Sequence, residues 1–309
     1  MNAEVPPTVP IEALEAGQRL DVFCVGRFPE YTRGTIQRAI KAGVITVSGK
    51  RSKPSYVLRT GDVVAFTASV LEQQAQATAP QPLPPLPIIH EDKDIVVINK
   101  PAGVTVHPGQ GVASGTVADW FAARYPNAQV GDAGRLGIVH RLDQETSGVL
   151  VLAKTPAAFE RLKDQFKHHR VRKEYLALVF GTPGESKGRI TRPLARSKRN
   201  PLRRTVDAEG KPAVTEWEIE EKLGEYTLLR VFPLTGRTHQ IRVHLHFLGF
   251  PIIGDKFYVF KRKRPPQGVT RHLLHAEKLT FVTQAGKRKT FTAPLPEDFV
   301  KVLDQLRKK

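Results

Sequence analysis

The segment from Gly134 to Lys154, GRLGIVHRLDQETSGVLVLAK, constrains the fold more than any other part of the sequence. Its middle is polar, and after Gly148 it continues as VLVLA with no polar break. A short apolar run that is bounded by a glycine is typical of a buried strand, so we predict a charged loop followed by a strand inside a sheet. Asp143 stands two residues after Arg141 at the mouth of that strand, where a carboxylate can be held still and partly desolvated.

Two roles are open to Asp143. Loop aspartates often accept backbone hydrogen bonds inside their own turn. The longer spelling HRLDQETSGVLVLAK, however, resembles the central motif of the RluA-type pseudouridine synthases, which isomerise uridine in RNA. In that family the aspartate of HRLD is the catalytic residue, so the resemblance implies this role for Asp143. We expect the adjacent His140 and Arg141 to contact the substrate, with Arg141 filling the space that the target base leaves in the RNA.

A second block, GRTHQIRVHLHFLGFPIIGD, predicts a helix that Thr238 caps and that runs to Leu248, with Gly249 just beyond its end. His239, His244 and His246 invite a zinc hypothesis, but His244 and His246 are two residues apart and do not share a helix face, which disfavours a zinc site. The block is similar to another motif of the same family, whose arginine pairs with the catalytic aspartate. The resemblance implies this pairing for Arg242, where a guanidinium would keep the carboxylate ionised and oriented. We also expect Arg237 to contact the substrate.

Two shorter segments extend the resemblance. Tyr175 opens an alternating strand in KEYLALV, where a tyrosine is most often a core residue with a satisfied hydroxyl. KEYLALV nevertheless resembles the family block whose tyrosine stacks on the target base and assists proton removal, which implies these roles for Tyr175. RHLLHA resembles a closing block, so Leu274 is expected to pack against the target uracil. Lys100 and His107 lie in a segment that resembles the first block, where each is either a substrate contact or scaffold.

The reaction that the resemblance implies needs no metal or cofactor. It breaks the bond from ribose to a uracil nitrogen, turns the base and rejoins it through carbon 5. The sequence has no phosphate-binding glycine loop, dinucleotide fingerprint or zinc-ligand spacing. The adjacent His168 and His169 favour a basic loop over a metal site, because neighbouring side chains do not converge. We therefore predict no cofactor and no metal ligand.

The net charge of +18 indicates a polyanionic partner. Residues 88–309 carry 39 basic and 23 acidic side chains, against 9 and 7 in residues 1–87, so the larger part of the chain carries most of the excess. The sequence contains no apolar run of about 18 residues, and its first residues lack the features of a secretory signal. With Cys24 as the one cysteine, an internal disulfide is excluded, and we expect a cytoplasmic protein without a membrane partner.

Residues 17–67 predict a small α+β unit. Leu20, Phe23 and Cys24 share a helical face, a second helix capped by Thr32 ends before Gly43, and two strands follow. The unit resembles the alpha-L RNA-binding module, named the S-four type after a small-subunit ribosomal protein. A solvated basic face is the alternative, but the resemblance implies that seven residues meet RNA phosphates: Arg33, Gln37, Arg38, Lys41, Lys50, Arg51 and Lys53.

A change of composition divides the chain. Residues 68–87 shift from Gln, Ala and Thr to five prolines, which is typical of a linker that is first flexible and then extended. We predict an RNA-binding domain at 11–69, a Pro-rich linker at 70–87 and a catalytic domain at 88–309. The expected fold class is α+β: the pseudouridine synthase fold, a mostly antiparallel mixed sheet with flanking helices and an active-site cleft, beside the small α+β domain.

These features lead to one expected function with two alternatives. The tethered module and the basic surface resemble the large-subunit rRNA enzymes of the family, particularly the RluD-like branch. We expect an isomerase that converts uridines of large-subunit ribosomal RNA, either as naked RNA or in assembling ribosomal particles, and that works as a monomer. The alternatives are the same chemistry on tRNA, and a non-catalytic rRNA-binding or assembly factor on the same scaffold.

Overall fold

The computed structural model describes residues 8–12, 15–28, 31, 33–66, 86–109, 112, 114–128, 130–131, 136–260 and 264–308, without the side chains of Arg33 and Arg38. The predicted linker therefore lies outside the described residues except for Leu86 and Pro87. The chain separates into two compact units, a small N-terminal one and a large one that contains most of the chain. Within the described ranges, no helix is both long enough and apolar enough to cross a membrane.

The small unit packs two helices against a three-stranded antiparallel sheet of order β1-β3-β2. The predicted apolar face of the first helix is buried, and it joins Ile36 and Ile40 of the second helix in one core. The strand at Thr8–Pro10 was not predicted, and it begins before residue 11, the predicted start of the RNA-binding domain. The predicted helix cap Thr32 lies outside the described residues. The elements are β1 (Thr8–Pro10), α1 (Leu20–Arg27), α2 (Arg33–Ala42), β2 (Ile45–Val47) and β3 (Val63–Phe66).

The large unit is built on a nine-stranded sheet. Its elements are β4 (Ile88–Glu91), β5 (Ile95–Lys100), α3 (Val117–Arg124), β6 (Ser147–Ala153), α4 (Pro156–Lys167), β7 (Arg172–Phe180), β8 (Lys187–Thr191), β9 (Leu194–Arg196), β10 (Arg204–Val206), β11 (Val214–Leu223), β12 (Tyr226–Pro233), α5 (Gln240–Phe247), β13 (Leu274–Val282), β14 (Arg288–Thr292) and α6 (Glu297–Arg307). Eight strands of the sheet follow the order β4-β5-β6-β13-β7-β12-β11-β8, and β14 is the ninth, paired with β13. All described strand pairs of this sheet are antiparallel except β6 with β13, so the predicted mostly antiparallel mixed sheet is confirmed.

The strand predicted after the charged loop is β6, and every residue of it is buried. It begins at Ser147, so Gly148 lies inside the strand instead of before it. Gly148 has φ +118°, and a Cβ there would stand 2.1 Å from the carbonyl oxygen of Ala276 on β13. Glycine is therefore required where the two parallel strands meet, and this close approach places the loop before β6 beside the start of β13.

Candidate active site

A cleft of about 250 Å³ lies where the end of α4, through Phe166, meets five other segments of the large unit. These are the loop before β6, the first half of β7, the end of β12 with the loop that follows, the first turn of α5, and the start of β13. In the same order they contribute Asp143, Tyr175, Pro233, Arg242 and Leu274 to its lining. The fold thus gathers into one cleft the three residues for which the sequence predicts catalytic roles and the leucine predicted to pack against the base.

Arg242 joins two carboxylates. Its Nη1 donates to Oδ2 of Asp143 at 3.0 Å, and its Nε and Nη2 donate to the two oxygens of Asp255 at 2.6 and 3.0 Å. Asp255 is itself fixed, because it also accepts the backbone N–H groups of Phe257 and Tyr258. The bidentate pair with Asp255 therefore orients the guanidinium, and Nη1 remains to donate to Asp143. The importance of Asp255 was missed in the sequence, where its only signal is its place at the end of the GFPIIGD segment.

The carboxylate of Asp143 is only 18% exposed and stays ionised. Burial alone raises the pKa of such a group, but nearby positive charge opposes it here. In the acidic range where this carboxyl titrates, the charges of protonated His239 and of Arg242, with a smaller effect from protonated His272, hold the pKa of Asp143 below the ordinary aspartate value. Asp143 is thus an oriented anion at neutral pH, able to act on an electron-poor carbon or to accept a proton.

The first turn of α5 differs from its prediction. The helix begins at Gln240, its N-cap is His239 in the left-handed conformation with φ +58°, and no side-chain cap bond is made, so the prediction of Thr238 as the cap is wrong. The reason is that Gln240 closes the turn instead. Its Oε1 accepts from the hydroxyl of Thr235 and from the backbone N–H of Arg237.

His239 is a cleft residue that sequence reasoning considered only as a zinc ligand. Its unusual backbone conformation directs Nε2 to 3.9 Å from Oδ2 of Asp143, and Nδ1 lies 3.0 Å from the hydroxyl oxygen of Tyr258. Burial lowers the pKa of His239, and the charge of Asp143 opposes that shift. A non-glycine residue with positive φ beside an ionised carboxylate is a common feature of functional sites, but no sequence pattern predicts that φ.

Hydroxyl–imidazole pairs fasten the Asp143 loop (residues 143–147) to β13 and the residues before it. The hydroxyl of Thr146 lies 2.8 Å from Nε2 of His272, and that of Ser147 lies 2.9 Å from Nδ1 of His275. Burial lowers the pKa of His272 to about 3, so its imidazole is neutral at physiological pH. These buried pairs hold the carboxylate-bearing loop in one position.

Lys100 also stabilises the Asp143 loop, through its buried amino group. Its side chain is completely buried, and Nζ donates to the carbonyl oxygens of Pro101, Val104 and Gln144 at 2.8, 2.9 and 3.0 Å. Burial lowers the pKa of Lys100 to about 7. Of the two roles open to Lys100 in the sequence, the structure favours scaffold over substrate contact.

Replacing Lys100 by Met is expected to lower the free energy of unfolding by about 2 kcal/mol at pH 7, because three carbonyl groups lose their donor. The difference should grow between pH 7 and about 10. In that window the unfolded lysine binds more protons than the folded one, so the wild type gains stability as the pH rises and Lys100→Met does not. Urea unfolding at several pH values measures both effects, with the exposed Lys163→Met as the matched control. A difference that shrinks as the pH rises would contradict this role.

Tyr175 and Leu274 form apolar walls of the cleft. Burial, and then the charge of Asp143, raise the pKa of the Tyr175 phenol, so the hydroxyl stays protonated. Leu274 is buried and its backbone pairs with Ala177 of β7, two residues beyond Tyr175. The arrangement offers a flat aromatic ring and a branched aliphatic side chain beside an anion, which suits a planar base that is attached to a sugar.

The other predicted substrate contacts occupy the cleft wall and rim. His140 accepts the backbone N–H of Val151 at 3.1 Å and stacks on Phe166, and burial lowers its pKa to about 3. It is therefore a neutral, fixed part of the wall. Arg141 is exposed, with Nη1 3.2 Å from Nε2 of His107. Arg237 is also exposed, and it lines the cleft from the loop after β12. Contacts of His140, Arg141 and Arg237 with substrate stay predictions.

The small unit holds the residues that are predicted to meet RNA phosphates. The side chains of Arg33 and Arg38 lie outside the described part of the structure. Gln37 is half-buried, and its Nε2 donates to Asp21 at 2.6 Å, so this amide group already serves the interior of the unit. Four of the predicted contacts are exposed: Lys41, Lys50, Arg51 and Lys53.

Each of the two units contains a match to a known protein family. Residues 94–247 match the family described as RNA pseudouridylate synthase, and residues 18–64 match the S4 domain. An uncharacterized RNA pseudouridine synthase of Chloroflexus aurantiacus is 41% identical and aligns with 98% of this chain and 92% of its own. The ribosomal large subunit pseudouridine synthase D of Yersinia pestis is 38% identical, over 99% of this chain and 96% of its own.

A solved structure is also similar. Human RNA pseudouridylate synthase domain containing 4 superposes with a TM-score of 0.58 at 28% identity, over 72% of this chain and 93% of its own. Full-length identity near 40% to named pseudouridine synthases carries the activity of the family with it, and the fold agrees. The chain belongs to the RNA pseudouridine synthase family, as an isomerase with an S4 domain at its N-terminus.

Proposed function

We propose that this protein converts uridines of large-subunit ribosomal RNA to pseudouridine, with Asp143 as the catalytic carboxylate. The observation that carries the catalytic assignment is the contact of Asp143 with Arg242 at 3.0 Å, in a cleft walled by Tyr175 and Leu274. The choice of RNA rests on relatives that are named ribosomal large subunit pseudouridine synthase D, 37–38% identical over nearly the whole chain. The S4 domain and the net charge of +18 agree with an RNA substrate.

The reaction is an isomerisation, so its atoms balance within the nucleotide. The bond from ribose carbon 1 to uracil nitrogen 1 breaks, the base turns, and a bond forms from the same ribose carbon to carbon 5. Nitrogen 1 gains a proton and carbon 5 loses one. Asp143 acts on the ribose, either by attack at carbon 1 or by removing a neighbouring proton, and both routes need the ionised carboxylate that Arg242 maintains.

The walls and the rim handle the loose base and its RNA. Tyr175 and Leu274 hold the uracil while it is detached, so that it turns within the cleft instead of leaving it. A uridine stacked in a stem-loop must first be flipped out, which costs a few kcal/mol. Arg141, exposed on the segment that leads into the Asp143 loop, fills the vacated position and contacts phosphate. The enzyme works as a monomer.

The substrate assignment is tested with transcripts that carry tritium at carbon 5 of uracil, because bond formation at that carbon releases the label. We expect the purified protein to release tritium from large-subunit rRNA transcripts and not from a pool of tRNA transcripts. Release from tRNA alone would favour the tRNA alternative. Specific binding to rRNA without release would favour a non-catalytic assembly factor. Comparing naked rRNA with assembling particles then identifies the form that the enzyme uses.

A further inference from the structure

A second groove adjoins the cleft at the ends of β7 and β12. Its volume is about 410 Å³, and we call it the rim groove. Lys173 and Pro233 line both the rim groove and the cleft, so the two adjoin at these residues. No acidic side chain is found among the described residues that line the rim groove. Its cationic and aromatic members are His169, Arg170, Arg172, Lys173, Phe232 and Arg288.

Strand register shows how the rim groove turns around the end of the sheet. Side chains alternate between the two faces of a strand, so Lys173 lies on the same face as Tyr175, whereas Arg172 lies on the opposite face. Val231 pairs with Tyr175 across β12 and β7, which places Phe232 on the Arg172 face as well. The rim groove thus leads from the cleft, past Lys173, to the opposite face of the sheet.

Two arginines on that face come from different strands. Arg172 of β7 pairs with Thr280 of β13, and Arg288 of β14 pairs with Val282 two residues further along β13. Residues in register across neighbouring strands share a face, so both arginine side chains project on the same side, with their Cα atoms roughly 12 Å apart across β13. This separation lets two long side chains reach adjacent phosphates of one RNA strand.

The plane of Arg172 is already set for stacking. Its guanidinium carbon lies 5.5 Å from the ring centre of Phe232, and its Nε is 2.8 Å from Oε1 of Glu174. The side chain is 59% exposed, so the guanidinium is oriented by its two partners while much of it stays open to solvent. Unpaired RNA bases stack on arginine planes and on aromatic rings. Arg288 is exposed at the other side of the groove.

We propose that the rim groove binds a nucleotide next to the target uridine, with its phosphates beside Arg172 and Arg288 and its base stacked on the Arg172 plane. The proposal rests on the proposed function, since it gives the RNA strand its path out of the cleft. Lys173 marks the junction: its Nζ is held by the carbonyl oxygen of Thr235 at 2.8 Å, in a position that contacts both openings. The substrate is therefore recognised as an unpaired strand that extends beyond the flipped uridine.

The test uses the full-length protein with Arg172→Gln and Arg288→Gln combined. The probe for binding is a fluorescein-labelled short oligouridylate, which needs no knowledge of the target site. We expect the dissociation constant to rise about tenfold at low salt, and the slope of log affinity against log salt to fall by about 1.4, because each phosphate contact on a single strand contributes about 0.7. Arg172→Lys keeps the charge but not the planar stack, so it should weaken binding while leaving the slope unchanged.

Arg307→Gln is the matched control, because Arg307 on α6 is also exposed and paired with a carboxylate, Glu221, but lines neither the cleft nor the rim groove. It should bind as the wild type does. Equal weakening by Arg307→Gln and by the double variant, or no change in the double variant, would overturn the rim groove. Tritium release from rRNA transcripts separates the two proposals. If the wild type is active, the double variant should have a lower kcat/KM because its KM rises. If the wild type releases no tritium, the proposed function is refuted, and the binding measurement alone tests the rim groove.

Discussion

Asp143→Asn is expected to lower the rate of pseudouridine formation about 10³-fold or more while the protein stays folded and binds RNA. Asparagine keeps the shape of the side chain and can still accept the Arg242 hydrogen bond, but it can neither attack the ribose nor take a proton. Arg242 keeps its bidentate pair with Asp255, so we expect the free energy of unfolding to change by less than about 1 kcal/mol. Single-turnover tritium release with excess enzyme measures the chemical step.

The matched control is Asp304→Asn on α6, where the carboxylate is exposed and pairs with Arg307. It should react at the wild-type rate. RNA binding by Asp143→Asn should be at least as tight as that of the wild type, because the change removes a negative charge from the cleft. A rate within tenfold of the wild type would mean that another group performs the chemistry.

Arg242→Gln should have the second large effect, on stability as well as on rate. It leaves the carboxylates of Asp143 and Asp255 buried without their shared cation, which we expect to cost about 3–5 kcal/mol of unfolding free energy. The rate should fall by about 10²-fold, because Asp143 loses its orientation and part of its ionisation. Arg242→Lys keeps one charge but not the planar fork, so its losses should be intermediate.

The pH dependence of Arg242→Gln has a definite sign. In the wild type the pKa values of Asp143 and Asp255 are both lowered. Their contribution to stability is therefore complete above the unfolded aspartate pKa of about 3.9 and is lost as the pH falls through the folded values. Removing the cation raises the pKa of both aspartates, so the loss of unfolding free energy relative to the wild type should be largest near neutral pH and should shrink below pH 4. The acid limb of the rate profile should move to higher pH. Urea unfolding and rate profiles measure these shifts, and Arg189→Gln, an exposed pair, should change stability by less than about 1 kcal/mol.

The parts of the fold that could be predicted are those with a local pattern. The run after Gly148 predicted β6, and the spacing of Leu20, Phe23 and Cys24 predicted the buried face of α1. The meeting of Asp143 with Arg242, 99 residues apart, followed from the family resemblance and not from spacing. Local periodicity carries no information on which distant segments share a cleft.

The parts that could not be predicted depend on contacts between segments that are far apart in the sequence. A lysine is rarely buried without partners, and nothing near Lys100 shows that the carbonyl of Gln144 would reach it. Asp255 is fixed by its own turn and by α5 together. His239 enters the cleft because the chain turns through a left-handed residue there. These three positions support the candidate site through contacts that exist only in the folded unit.

The most direct test of the account is a map of pseudouridines in the ribosomal RNA of cells that lack this gene, complemented with the wild type or with Asp143→Ala. Carbodiimide modification followed by primer extension locates each pseudouridine. We expect discrete large-subunit positions to lose their mark in these cells, the wild type to restore them, and Asp143→Ala, expressed at the same level, to leave them unmodified. Full restoration by Asp143→Ala, or marks that never depend on the gene, would contradict it.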